Sequence, residues 1–108
     1  TALAILYLID NQILRLSDNI RKFFPQLFPT IKKKITVQHL LNHTSGIRDC
    51  YDLWALQGYT WWKQSFNNQD VLALIEKQTE LNFQPNAKYL YSNTNYILLA
   101  LIIEKVSG

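Results

Sequence analysis

Tyr91, Ser92 and Asn93 put a phenol and a carboxamide two residues apart, where an irregular segment turns into a long apolar run. Held on a turn, those two side chains can point into one cleft. His39 and His43 stand four apart on a predicted helix, the spacing that puts two imidazoles on one face, as in zinc sites. Leu40, Leu41 and Asn42 lie between them, no glutamate offers a base and no third ligand stands out, so the pair reads as structural and no metal is expected. Ser45 sits between Thr44 and Gly46. A nucleophile elbow needs glycines two residues away on both sides and a preceding strand, so this serine reads as part of a hydroxyl-rich turn closing a helix. Gly46, Gly58 and Gly108 are too scattered to cradle a phosphate. Trp54, Tyr59, Trp61, Trp62 and Phe66 could line a groove for sugars or bases, but such density reads first as a satellite core under a loop.

The elements that position these residues are helical. Thr1 to Asp10 has helical spacing in Leu3, Leu6, Tyr7 and Ile9, without an N-cap of its own. Ser17 or Asp18 is expected to cap a short helix with Ile20, Phe23 and Phe24, ahead of breaks at Pro25 and Pro29. Thr36 caps a helix that ends near Thr44-Ser45-Gly46, with Gly46 as the left-handed residue. A helical turn follows at Asp52 to Gln57. Asn67 or Asn68 caps the next helix, whose Asp70 suits the helix dipole and whose stripe is Val71, Leu74 and Ile75. Phe83 to Tyr91 reads as loop or short strand with a turn at Pro85-Asn86. The last helix, from Asn93 to Ser107, is apolar all round from Ile97 to Ile103 and is expected to be the buried centre of a bundle. The expected fold class is mainly α, with four to six helices.

The 108 residues suit one domain, and 48% apolar against 18% charged is a globular composition. A single cysteine, Cys50, excludes an internal disulfide. The net charge is +3, and the one basic run, Lys32-Lys33-Lys34, reads as a solvated turn; no nucleic-acid partner is expected. The longest apolar run, Tyr96 to Ile103, is far short of the roughly 20 residues needed to span a bilayer. The first residues fall in mid-pattern, so a piece of a longer protein is expected.

Three segments are similar to one known family. Ile35-Thr36-Val37-Gln38-His39-Leu40-Leu41-Asn42-His43-Thr44-Ser45-Gly46-Ile47 resembles the "ITVxHLLxHTSGI" signature of the serine β-lactamase and penicillin-binding-protein superfamily. Phe83-Gln84-Pro85-Asn86, continuing through Tyr91-Ser92-Asn93 to Gly108, resembles its "FxPGxxxxYSNxGYxLLGxIIExVSG". Thr1 to Asp18 is similar to the stretch just after the family's nucleophile. The nearest branch holds class C β-lactamases, D-alanyl-D-alanine carboxypeptidases and related esterases.

The resemblance implies acyl transfer by a serine in Ser-x-x-Lys, through a covalent acyl-serine intermediate and without cofactor. The substrate would be a β-lactam, a D-Ala-D-Ala peptide or an ester. Carried over from the family's Tyr-x-Asn, the catalytic residues are Tyr91, which relays the serine proton, and Asn93, which hydrogen-bonds the substrate amide and helps orient the lysine. A free phenol titrates near 10 and becomes a base only beside cations, which the family's lysines supply. His43 to Gly46 would be chiefly structural and Ser92 would have no role. Residues 1–108 would form part of the helical lobe of an α+β fold whose antiparallel sheet is missing here. The family is often exported, so a periplasmic or secreted location is implied.

The departures from the pattern are as informative. No Ser-x-x-Lys occurs in these residues; Thr60-x-x-Lys63 and Thr30-x-x-Lys33 are misplaced imitations. The Lys-Thr-Gly or His-x-Gly motif is also missing. Asn86 stands for the usual turn glycine and Asn95 where glycine is common. The chain alone is therefore expected to be inert, and the alternative reading is a non-catalytic module binding peptidoglycan or a protein partner.

Overall fold

The computed structural model describes residues 1–56 and 67–107. Helix α1 spans Ala2–Asp10, α2 Val37–Leu41, α3 Cys50–Leu56, α4 Asn68–Glu76 and α5 Asn93–Ser107, with a 3-10 turn at Ile20–Lys22. Among the described residues the only extended pairing is a single bridge between Asn19 and Thr36. The segment from Phe83 to Tyr91 is loop, so the short strand allowed by the sequence does not form. Of the aromatic group read as a satellite core, Trp54 is buried, while Tyr59, Trp61, Trp62 and Phe66 lie outside the described residues.

Helix α5 forms the axis. It packs against α1, α2, α3 and α4, and buries Leu98, Leu99, Leu101 and Ile102. Its partners contribute Ile5, Leu40, Leu53 and Ile75, so the all-round apolar run does become the bundle centre. Burying side chains of this size contributes roughly 1.5–3 kcal/mol each. Among the described residues nothing covers the outer face of α1: Leu3, Leu6 and Tyr7 are 81%, 50% and 66% exposed.

The helix starts follow side-chain chemistry. Thr36 accepts from His39 N, and His39 Nδ1 accepts from Thr36 N, a reciprocal cap at the start of α2. Asn67 and Asp70 do the same for α4, which makes Asn67 the cap. The 3-10 turn is capped by Asn19 rather than Ser17 or Asp18. The Asp18 carboxylate is occupied by Arg15 N and its carbonyl by Val37 N, leaving Asn19 to accept from Arg21 N. Arg21 in turn donates to the carbonyls of Leu27, Phe28 and Ile31, gathering the proline-broken loop around one guanidinium.

Helix α2 ends earlier than its sequence suggests. It stops at Leu41, and His43, with φ of 58°, takes the left-handed position assigned to Gly46. Gly46 is also left-handed, at φ of 81°, for a different reason. Any Cβ there would collide with the Phe83 carbonyl oxygen, so only glycine lets the two backbones meet.

Candidate active site

The backbone from His43 to Asp49 holds the site together. On one side it binds the loop leading to Tyr91: Leu90 N donates to His43 O at 3.0 Å, Asn86 N to Thr44 O at 2.7 Å, and Asn82 N to Gly46 O at 2.7 Å. Asn86 adopts φ of 69°, as expected of an asparagine replacing a turn glycine. On the other side the segment binds the start of α5. Thr94 Oγ1 donates to Arg48 O at 2.8 Å, and Asn93 N donates to Asp49 Oδ1 at 2.7 Å.

His43 is at the centre. Its ring lies parallel to Tyr96 at 5.1 Å, tilted against Tyr91 at 4.5 Å, and edge-on to Tyr89 at 6.0 Å. Ser92 N donates to His43 Nδ1 at 3.2 Å, and because a backbone N–H only donates, that nitrogen carries no proton. Asn95 Nδ2 lies 3.1 Å from the same nitrogen and is therefore a second donor. Burial lowers the His43 pKa and so favours this neutral form. Ser45, fully buried, donates to Asn95 Oδ1 at 2.6 Å and accepts from Ile47 N at 3.1 Å. Its hydroxyl is sealed away from solvent, in keeping with a structural turn.

This buried frame presents an exposed pair. Tyr91 is 59% exposed, and its hydroxyl donates to Asn93 Oδ1 at 3.1 Å. Asn93 is half-buried, and its Nδ2 donates to Asp49 Oδ1 at 3.0 Å. The two side chains that the sequence suggested could share one cleft are thus hydrogen-bonded to each other. Ser92 is buried, and its Oγ has no partner among the described residues.

The two histidines do not share a helix face. His39 closes the start of α2, whereas His43 lies past its end, because the helix stops between them. Each uses Nδ1 to accept a backbone N–H, which is the structural role expected of them. Among the described residues no three His, Cys, Asp or Glu side chains gather as a metal site. Cys50 is buried, and its thiol is pushed up to about 11, chiefly by burial, with the nearby Asp49 charge acting in the same direction. Asp49 and Asn95 were not singled out for these contacts. Asp49 was not picked out at all, and Asn95 only as a departure from the usual glycine.

An open hollow of about 250 Å³, lined by Arg48, Asp49, Asp52, Leu53, Leu56 and Asn82, adjoins Asp49. A larger groove of about 570 Å³, between Ile9, Gln12, Leu14 to Ser17 and Gln38, shares no lining residue with Tyr91 or Asn93.

The helical bundle, with its exposed Tyr-x-Asn turn and the His-Thr-Ser-Gly loop behind it, fits the fold of penicillin-binding proteins. The beta-lactamase family profile matches residues 1–108, and the chain belongs to that family. It is 41% identical, over its whole length, to a penicillin-binding protein from Bacillus subtilis, of which it covers 23%. A D-aminopeptidase from Cereibacter sphaeroides is 32% identical over 82% of the chain and 16% of the relative. Among solved structures, a D-stereospecific amidohydrolase from Streptomyces superposes with a TM-score of 0.80 at 30% identity, over 97% of this chain and 34% of that one. The chain therefore spans about a quarter of the length of the Bacillus relative and about a third of the Streptomyces structure.

Proposed function

We propose that residues 1–108 form part of the helical lobe of a serine acyl hydrolase or acyltransferase acting on peptide or amide substrates through an acyl-serine intermediate. The observation that carries this reading is the exposed Tyr91 hydroxyl, bonded to Asn93 at 3.1 Å on a turn fixed from behind. Tyr91 takes the proton of the attacking serine and returns it to the leaving group. Asn93 offers an Nδ2 proton to the substrate's amide carbonyl and its oxygen to the lysine. A proton relay of this kind is worth roughly a hundred- to ten-thousand-fold in rate.

The nucleophile, in Ser-x-x-Lys, lies outside these residues, and the oxyanion donors come from the sheet-bearing half. Neither is present in the chain as given, so the chain is inert by itself. The uncovered outer face of α1 supports this assignment, since burying such a face takes further protein. The names of the relatives, a penicillin-binding protein, a D-aminopeptidase and a D-stereospecific amidohydrolase, favour amides of D-amino acids as the substrate class.

The test is to recover the full reading frame, read the residues just before Thr1, and incubate the whole protein with a penicillin and with a fluorophosphonate. A Ser-x-x-Lys and a covalent mass increase with either reagent are expected. Reversible binding without mass increase would replace the enzyme with a binding module on the same fold.

A further inference from the structure

We infer that Asp49 is a positioning residue that fixes which way the Asn93 carboxamide faces. The inference rests on the catalytic reading of Tyr91 and Asn93 and adds to it a residue that acts through Asn93. A carboxamide turned by half a revolution about its last bond has nearly the same shape but exchanges donor and acceptor. The role given to Asn93 requires one sense: oxygen toward Tyr91 and the lysine, nitrogen toward the substrate.

The structure contains one group that selects that sense. Asp49 Oδ1 accepts from Asn93 N at 2.7 Å and from Asn93 Nδ2 at 3.0 Å. An ionised carboxylate only accepts, so the flipped carboxamide would set oxygen against oxygen. Asp49 is itself held, because its Oδ2 accepts from Asp52 N at 3.3 Å in the first turn of α3. The Asn93 nitrogen carries two hydrogens and Asp49 uses one. The other stays available for a carbonyl, while the oxygen receives the Tyr91 hydroxyl at 3.1 Å. The carboxylate also caps α5 at the residue that bears the carboxamide, so one side chain sets both the backbone and the tip of Asn93.

Asp49→Asn preserves the shape but weakens the hold on Asn93, because whichever way the new carboxamide turns its nitrogen meets a donor, Asp52 N in one sense and Asn93 N in the other. In the full-length protein it is expected to lower kcat/KM on an amide substrate by roughly 10- to 100-fold, as misplacement by about an ångström does. Paired with Asn93→Ala it should add little to the loss in kcat/KM, because the side chain it orients is gone and only the cap on the backbone N–H of position 93 remains. A purely structural Asp49 would add its loss to that of Asn93→Ala and would overturn the inference. If Asn93→Ala alone leaves turnover unchanged, the catalytic reading itself fails, which is a separate result. A second measurement needs no variant and no activity. The two Asn93 side-chain amide protons should differ in NMR, one shifted downfield and slow to exchange, while two fast-exchanging protons would overturn the inference even if Asp49→Asn fails to fold.

Discussion

Asn95→Asp should reverse the sign of the protein's response to pH. In the native protein His43 Nδ1 is an acceptor, taking Ser92 N at 3.2 Å and Asn95 Nδ2 at 3.1 Å. Burial lowers the pKa of both His43 and His39 below the usual 6.5. Below 6.5 the unfolded chain therefore binds protons that the fold does not. Native stability is complete above that value and falls as the pH drops toward the lowered folded values.

The aspartate keeps its bond from Ser45 but turns an oxygen toward the lone pair of the ring nitrogen. Asn95 is only 1% exposed, so a charge placed there at high pH is buried without a countercharge. A buried charge lacking its partner costs about 3–5 kcal/mol, a large share of the 5–15 kcal/mol that stabilises a typical domain. Protonating His43 on Nδ1 restores the contact, and the carboxylate raises the His43 pKa above 6.5. The deficit should shrink by about 2 kcal/mol at low pH, and what remains is the Ser92 N–H without its acceptor, worth about 1–3 kcal/mol. Chemical denaturation between about pH 5.5 and 8 reads both curves directly. The native curve should rise toward about pH 6.5 and then level off, whereas the variant curve should fall. Two curves of the same slope would refute the assignment of His43 as a neutral acceptor.

Gly46→Ala should destabilise the protein by about 3 kcal/mol or more, since it adds a left-handed penalty to a clash with the Phe83 carbonyl; a melting temperature within a degree of the native one would count against that close approach. Asn93→Ala in the full-length protein should raise KM and lower kcat together, because it removes a substrate contact and a lysine contact; steady-state kinetics on an amide substrate separates this from a loss in KM alone.

The starts of α2 and α4 were legible because their signals are local, whereas α3 begins at Cys50, two residues before the expected Asp52. Thr36 and Asn67 each cap a helix that begins at the next residue, and the apolar run from Ile97 to Ile103 needs no partner to be recognised as buried. The end of α2 was not legible. His43 is pulled into the left-handed region by contacts with Ser92 and Asn95, 49 and 52 residues away. Gly46 drew attention correctly as a left-handed glycine, but the Phe83 carbonyl that requires it is distant in sequence. Tyr91 and Asn93 stand out through their motif and are hydrogen-bonded to each other, whereas Asp49 carries no such signal because its partner is 44 residues along the chain. Asn95 read as a departure from glycine, and its buried bonds to Ser45 and His43 give that departure a physical reason.

The central claim, that the exposed phenol at position 91 moves the proton of an attacking alcohol, is tested most directly by the single-turnover acylation rate of the full-length protein and its Tyr91→Phe variant. The account predicts a fall of at least roughly 100-fold in the variant with substrate affinity nearly unchanged. An acylation rate equal to that of the native protein would contradict it.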